Sequence, residues 1–150
     1  MNRLSQNELL GVVAIQSALE NTEAGRLSLG KIMLVLPLLF DKATRSVLKS
    51  KRSVVLGSRD LLMSNPIEFS TIRGRFEDFA ITSLNSIVLA REIGLAKLDS
   101  DALVLRKIIF PRDSTHIGKI ALDILACGPK LGLILQEDCV DLYQTFRIAL

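Results

Sequence analysis

The sequence predicts a mainly α-helical domain that carries one small β-hairpin. Apolar residues recur at steps of three and four over residues 68–93, which is the spacing of one helix face. Two short apolar runs then flank an acidic turn, a pattern typical of a hairpin. Polar residues that favour helix N-caps, such as Asn7 and Asp41, precede further amphipathic stretches.

The first predicted helix starts at Asn7 and ends near residues 21–25, where Asn, Thr and Gly cluster. Residues 26–30 form a short connection into a central stretch, Leu29–Arg45. Within it, residues 32–40 carry no charge, and all are apolar except Pro37. This run is too short for a membrane span, which needs about 20 apolar residues, but it suits a buried strand or helix turn.

Pro37 and Asp41 set the expected geometry of the central stretch. Pro37 lacks a backbone donor and predicts a kink, and Asp41 predicts the N-cap of a helix that begins near Lys42. Residues 54–65 suit either a short helix or an irregular bridge, and the pattern does not separate the two.

One helix is predicted from Glu68 to Ile93, and Gly94 is expected to end it in the left-handed conformation. Its three phenylalanines are interpreted as core residues. The apolar face of this helix consists of Phe69, Ile72, Phe76, Phe79, Ala80, Leu84, Ile87 and Val88.

A hairpin is predicted from strands 95–98 and 102–109, with an acidic turn between them and Pro111 after the second strand. A helix, a glycine and then a hairpin is the order found in winged-helix domains. We therefore predict a winged-helix-like core over residues 1–112 and a C-terminal helical extension over residues 113–150. Ser114 or Thr115 is expected to cap the first helix of the extension. Further helices are expected at residues 130–135 and 138–146, after a break at Gly128-Pro129.

Composition indicates a protein with partners. The apolar fraction is 49% over 150 residues, which exceeds what one small core needs. We therefore expect the isolated chain to be poorly soluble or to self-associate. No signal-like segment follows the first residues, so we expect a cytoplasmic protein without a membrane span. Cys127 and Cys139 show no metal-binding spacing and are expected to be free thiols.

The segment that follows Asp41 is basic and contains no acid up to Arg59. It is either a solvated face or a docking surface for phosphate or an acidic partner. No aromatic residue is interleaved with these charges, which disfavours stacking on single-stranded nucleic acid. We expect the basic side chains to be exposed, so that reversing the charges of Arg45 and Lys49 leaves the fold intact. The predicted basic face consists of Lys42, Arg45, Lys49, Lys51 and Arg52.

No catalytic pattern is found. The sequence lacks a Gly-rich phosphate loop and a Gly-x-Ser-x-Gly turn, and its only histidine, His116, is expected at the surface near a helix start. The aspartates show no metal-loop spacing. We therefore expect no enzyme activity, no cofactor, no metal and no small-molecule substrate.

The order of features resembles the middle component of bacterial ABC three-component systems, which is encoded between an SMC/Rad50-like ATPase and an effector, as in Lamassu-type anti-phage defence. The resemblance lies mainly in Leu36, Pro37 and Leu38, followed by Lys42, Thr44 and Arg45. Asp41 stands where we expect His in that family, so no role of an imidazole is carried over. The resemblance implies a non-catalytic adaptor that joins the ATPase to an effector, such as a nuclease or another toxic enzyme, with DNA contacted through the complex.

The alternative is a winged-helix transcription regulator that binds DNA directly. Such a protein needs a basic helix in the major groove. The predicted helix before the hairpin carries Glu77, Asp78 and Glu92 beside its arginines, so it is a poor candidate for that role.

Overall fold

The computed structural model describes residues 3–113 and 116–149 of the chain. Within these residues it contains eleven α-helices and one three-stranded sheet. The helices are α1 (Arg3–Glu20), α2 (Leu29–Ile32), α3 (Val35–Leu39), α4 (Lys42–Lys49), α5 (Ser58–Ser64), α6 (Pro66–Phe69), α7 (Ile72–Asp78), α8 (Ala80–Glu92), α9 (Lys119–Ala126), α10 (Gly128–Leu135) and α11 (Cys139–Thr145). The strands are β1 (Arg26–Ser28), β2 (Ala96–Asp99) and β3 (Ala102–Leu105).

Helix α1 is the centre of the fold. All its residues from Gly11 to Leu19 are buried, and it packs against α3, α8, α9 and α10. Asn7 lies inside α1, so the prediction that Asn7 caps the first helix is wrong. The predicted class, mainly helical with a small hairpin, is confirmed.

The sheet has the strand order β1-β3-β2, and both pairings are antiparallel. The predicted hairpin is present, although its second strand ends at Leu105 and not at Ile109. The prediction that residues 26–30 are only a connection is wrong, because Arg26 pairs with Val104 in the β1–β3 ladder. This third strand joins the hairpin to the end of α1.

The first part of the central stretch, residues 29–40, is helical, and most of its apolar residues are buried. It forms α2 and α3, and the break between them lies at Met33 and Leu34, not at Pro37 as predicted. Pro37 is the third residue of α3, where a backbone N–H would have no acceptor within the helix. Asp41 caps α4 as predicted, since its Oδ2 accepts a hydrogen bond from the Thr44 amide at 3.1 Å.

The predicted helix over residues 68–93 is wrong as one element, because the chain forms α6, α7 and α8 there. The Arg75 side chain bridges the first break by donating to the Glu68 carbonyl and to Thr71 Oγ1. The predicted end of the last helix is confirmed. Gly94 has φ +81°, and its amide bonds to the Arg91 carbonyl.

Helix α8 turns small residues toward α1. Ser83, Ser86 and Ala90 are buried, and a Cβ added at Gly11 would lie 2.0 Å from Ser86 Oγ. The prediction that Leu84 and Val88 belong to the core is wrong, because they are 54% and 49% exposed. Close approach of the two helices requires small side chains between them, and Ile81, Leu84 and Val88 face outward, whereas Ile87 is buried as predicted.

The C-terminal helices pack on the rest of the domain, with α9 and α10 both in contact with α1 and α4. The predicted break is confirmed, but it lies at Cys127, and Gly128 and Pro129 are the first residues of α10. Helix α9 begins after Gly118, and the capping residues predicted for it, Ser114 and Thr115, lie outside the described residues. The division of the chain at residue 112 stays a prediction.

Candidate functional site

The carbonyl groups at the end of α3 are bonded by side chains of α4. Thr44 Oγ1 donates to the Leu38 carbonyl at 2.7 Å. The Nη1 group of Arg45 donates to the carbonyls of Leu39 and Phe40 at 3.0 and 2.9 Å. These carbonyls have no partner within the short helix, so the two side chains remove the cost of leaving them unpaired.

The Pro37 carbonyl is bonded from a third element. Arg75 of α7 donates from Nε to this oxygen at 2.9 Å. Burial lowers the pKa of the Arg75 guanidinium, and the charge of Asp41 partly opposes that shift. The four carbonyl groups at the end of α3, from Pro37 to Phe40, are therefore all bonded by three side chains, those of Thr44, Arg45 and Arg75.

The residues of the Leu-Pro-Leu pattern lie inside the protein. Leu36, Pro37 and Leu38 are buried in α3, and Thr44 is fully buried in α4. In this arrangement they hold α3, α4 and α7 together, and none of them is available at the surface.

The structure divides the predicted basic face. Arg45 turns toward α3, and Lys49 Nζ lies 3.2 Å from Asp123 Oδ2 of α9. Lys42, Lys51 and Arg52 are exposed. The expected common face of Lys42, Arg45 and Lys49 is thus not presented to solvent as one surface, and a docking role for the exposed cations stays a prediction.

Two of the predicted cations instead line a groove with residues distant in sequence. The groove has a volume of about 510 Å³ and lies between the end of α4 and the α9–α10 pair. Lys49 and Lys51 meet Arg112 and Lys130 there. Sequence reasoning missed Arg112 and Lys130, since no local pattern places them beside residues some 60 to 80 positions earlier.

The loop beside this groove, residues 50–58, is fixed at one end by α10 and at the other by the connection between α10 and α11. Lys130 Nζ donates to the Ser50 carbonyl and to Ser53 Oγ. At the other end the Glu137 carboxylate accepts the Ser58 amide at 2.7 Å and the Ser58 hydroxyl at 2.6 Å. The Glu137 carboxylate also lies at the start of α5, where an anion is favoured.

The cysteines are free thiols, as predicted. Burial raises the pKa of Cys127 to about 12, so the nucleophilic thiolate is disfavoured near neutral pH. Burial also raises the pKa of Tyr143 to about 12, and its hydroxyl donates to the Gly30 carbonyl at 2.7 Å. Both groups are held in their neutral forms inside the fold.

These two groups predict a loss of stability in alkali. Cys127 has an ordinary pKa of 9.0, so above that pH the unfolded chain releases a proton that the folded chain keeps until about pH 12. The free energy of unfolding should therefore fall as the pH rises across this window. Thermal melts between pH 8 and about 10.5 would measure the slope, which Cys127→Ala should make shallower. An equal slope in the variant would show that the folded thiol titrates normally.

Among the described residues, no group of His, Cys, Asp and Glu is arranged to hold a metal ion. The described helices include none with the length and apolar character needed to cross a membrane. His116 is exposed, close to the start of α9.

Comparison with known families identifies the class of protein. The class is that of middle components of ABC three-component systems, because the family model described as ABC-three component (ABC-3C) system Middle Component 3 matches residues 9–150. The chain belongs to the Middle Component 3 family. No curated protein and no solved structure matches it. The resemblance to a middle component is thus confirmed, and membership implies interaction with other components of the system.

Proposed function

We propose that this protein is a non-catalytic adaptor that joins an SMC/Rad50-like ABC ATPase to an effector enzyme in an anti-phage defence complex of the Lamassu type. The observation that carries the proposal is the family match over residues 9–150. A middle component of a three-component system has two other components as its natural partners. Its site of action is proposed to be the cytoplasm.

Large apolar side chains on the surface support this role. Four large apolar side chains in the loop of residues 50–58 and in α5 and α6 are between 76% and 84% exposed: Val54, Leu56, Met63 and Ile67. Helix α8 adds a second group, in which Ile81, Leu84 and Val88 are exposed. Exposed apolar groups of this number favour burial against other proteins.

The described side chains also favour an adaptor over an enzyme. The buried thiol of Cys127 is not activated, and none of the described acidic clusters is arranged for a metal. The alternative, direct DNA binding through the helix before the hairpin, receives no support from α8. Its outer face carries Ile81, Leu84 and Val88, where a helix in the major groove presents cations and hydrogen-bonding groups.

Co-expression with the neighbouring gene products tests the adaptor proposal. Tagged ATPase and tagged effector should each retain the untagged chain, and the chain should bring the two together in one complex. We expect the isolated chain to elute as larger species in size-exclusion chromatography, and co-expression to yield a defined complex. A monodisperse monomer that neither tagged component retains would contradict the proposal.

A further inference from the structure

The groove between α4 and the α9–α10 pair combines an apolar floor with a cationic rim. The floor consists of Leu122, Leu125, Ala126 and Pro129, which lie where α9 ends and α10 begins. Leu125 is buried, but Ala126 and Pro129 are exposed, so part of this apolar surface faces solvent. An apolar floor of this kind is stabilised by covering it with another apolar group.

The rim carries positive charge without a compensating acid among the described lining residues. Lys49 is paired with Asp123, and Lys130 is engaged with the loop at Ser50. Arg112 makes one long contact of 3.4 Å with Asn21. The Lys51 ammonium is exposed and has no hydrogen-bond or ion-pair partner in residues 3–113 and 116–149.

We propose that this groove docks an acidic segment of another component of the system, with a Leu-like side chain on the floor and carboxylates beside Lys51 and Arg112. The inference rests on the proposed adaptor function and names the surface that carries it. The floor decides between protein and nucleic acid. A phosphate backbone would gain from the rim cations alone, whereas an acidic peptide with an apolar anchor uses the rim and the floor together.

Two single variants test the groove without touching the bonds that hold the fold. Lys51→Glu reverses the unpaired cation, and Ala126→Glu places a carboxylate on the exposed floor. Lys107→Glu is the matched control, since Lys107 is an exposed lysine after β3 and does not line the groove. Circular dichroism melts should show that all three variants fold like the unaltered chain.

The measurement is capture of each variant by the tagged ATPase and by the tagged effector encoded with this chain. We expect Lys51→Glu and Ala126→Glu to lower capture by one of these components at least tenfold, and Lys107→Glu to leave it unchanged. A photo-crosslinking residue at position 126 should then attach to an acidic, apolar segment of that same component, identified by mass spectrometry.

The possible failures differ. Unaltered chain that is captured by neither component overturns the adaptor function and the groove with it. Normal capture of both groove variants, with the unaltered chain also captured, overturns the groove alone. If the groove variants are captured normally but their complexes are no longer retained on DNA, the groove is a nucleic-acid site and the proposal is wrong. Crosslinking to a segment without acidic residues also overturns the proposal.

Discussion

Arg45→Glu is expected to lower the free energy of unfolding by about 3 kcal/mol or more, because the guanidinium makes two hydrogen bonds that are each worth roughly 1.5–3 kcal/mol when one partner is charged. The new carboxylate would face two carbonyl oxygens that have lost their donor. Lys49→Glu is expected to cost about 1 kcal/mol or less, since it breaks a partly exposed ion pair. Urea denaturation of the two single variants measures the difference.

This result would separate a structural cation from its neighbours in the basic segment. The bonds of Arg45 contradict the expectation that reversing both charges leaves the fold intact. Arg45→Lys is the informative control, because it keeps the charge and loses the planar group that reaches both carbonyls. If the urea midpoint of Arg45→Glu equalled that of the unaltered chain, the carbonyl groups of Leu39 and Phe40 would have to find other hydrogen-bond donors.

Phe69→Ala should destabilise the protein by about 3–5 kcal/mol, the range for removing a buried aromatic side chain. Phe69 is 1% exposed and is the largest of the fully buried side chains. The sequence predicts Phe76 and Phe79 as core residues too, but both are only partly buried against the core. Phe76 makes an edge contact with the Tyr143 ring at 5.6 Å, so Phe76→Ala should cost less.

Chemical denaturation of both alanine variants tests this ranking, and Phe69→Leu provides a control that keeps most of the buried volume. A larger loss for Phe76→Ala than for Phe69→Ala would place the centre of this part of the core at the Tyr143 contact.

The features predicted correctly from the sequence depend on residues close together in the chain. Asp41 bonds an amide three residues later, and Gly94 closes a helix with a bond to a carbonyl three residues earlier. The hairpin has a turn of two residues between paired strands. Each of these features follows from local backbone geometry, which the residue types determine.

The features that were missed depend on contacts between distant residues. Strand β1 exists because Arg26 pairs with Val104, and its three residues carry no strand pattern of their own. The apolar period of residues 68–93 continues across two helix breaks and therefore conceals them. On α8 the close approach of Gly11 to Ser86 buries small polar residues, so hydrophobicity wrongly places Leu84 and Val88 in the core, although it places Ile87 there correctly.

The basic segment shows the same limit at the candidate site. Its charges were found from the sequence, but the direction of each side chain was not. Arg45 is turned inward by carbonyl groups at the end of α3. Lys49 and Lys51 line a groove that also contains Arg112 and Lys130 from the C-terminal third of the chain.

The hydrogen bonds at the two ends of residues 50–58 have a consequence for the affinity of a partner. Fixing the backbone of a flexible segment costs about 1–2 kcal/mol per residue, and a partner that binds a flexible loop must supply that free energy. Here Lys130 and Glu137 restrain the loop within the free protein. A partner that contacts Val54 and Leu56 would therefore meet a loop whose conformation is already restrained. Because little ordering entropy would be lost on binding, more of the contact free energy would appear as affinity.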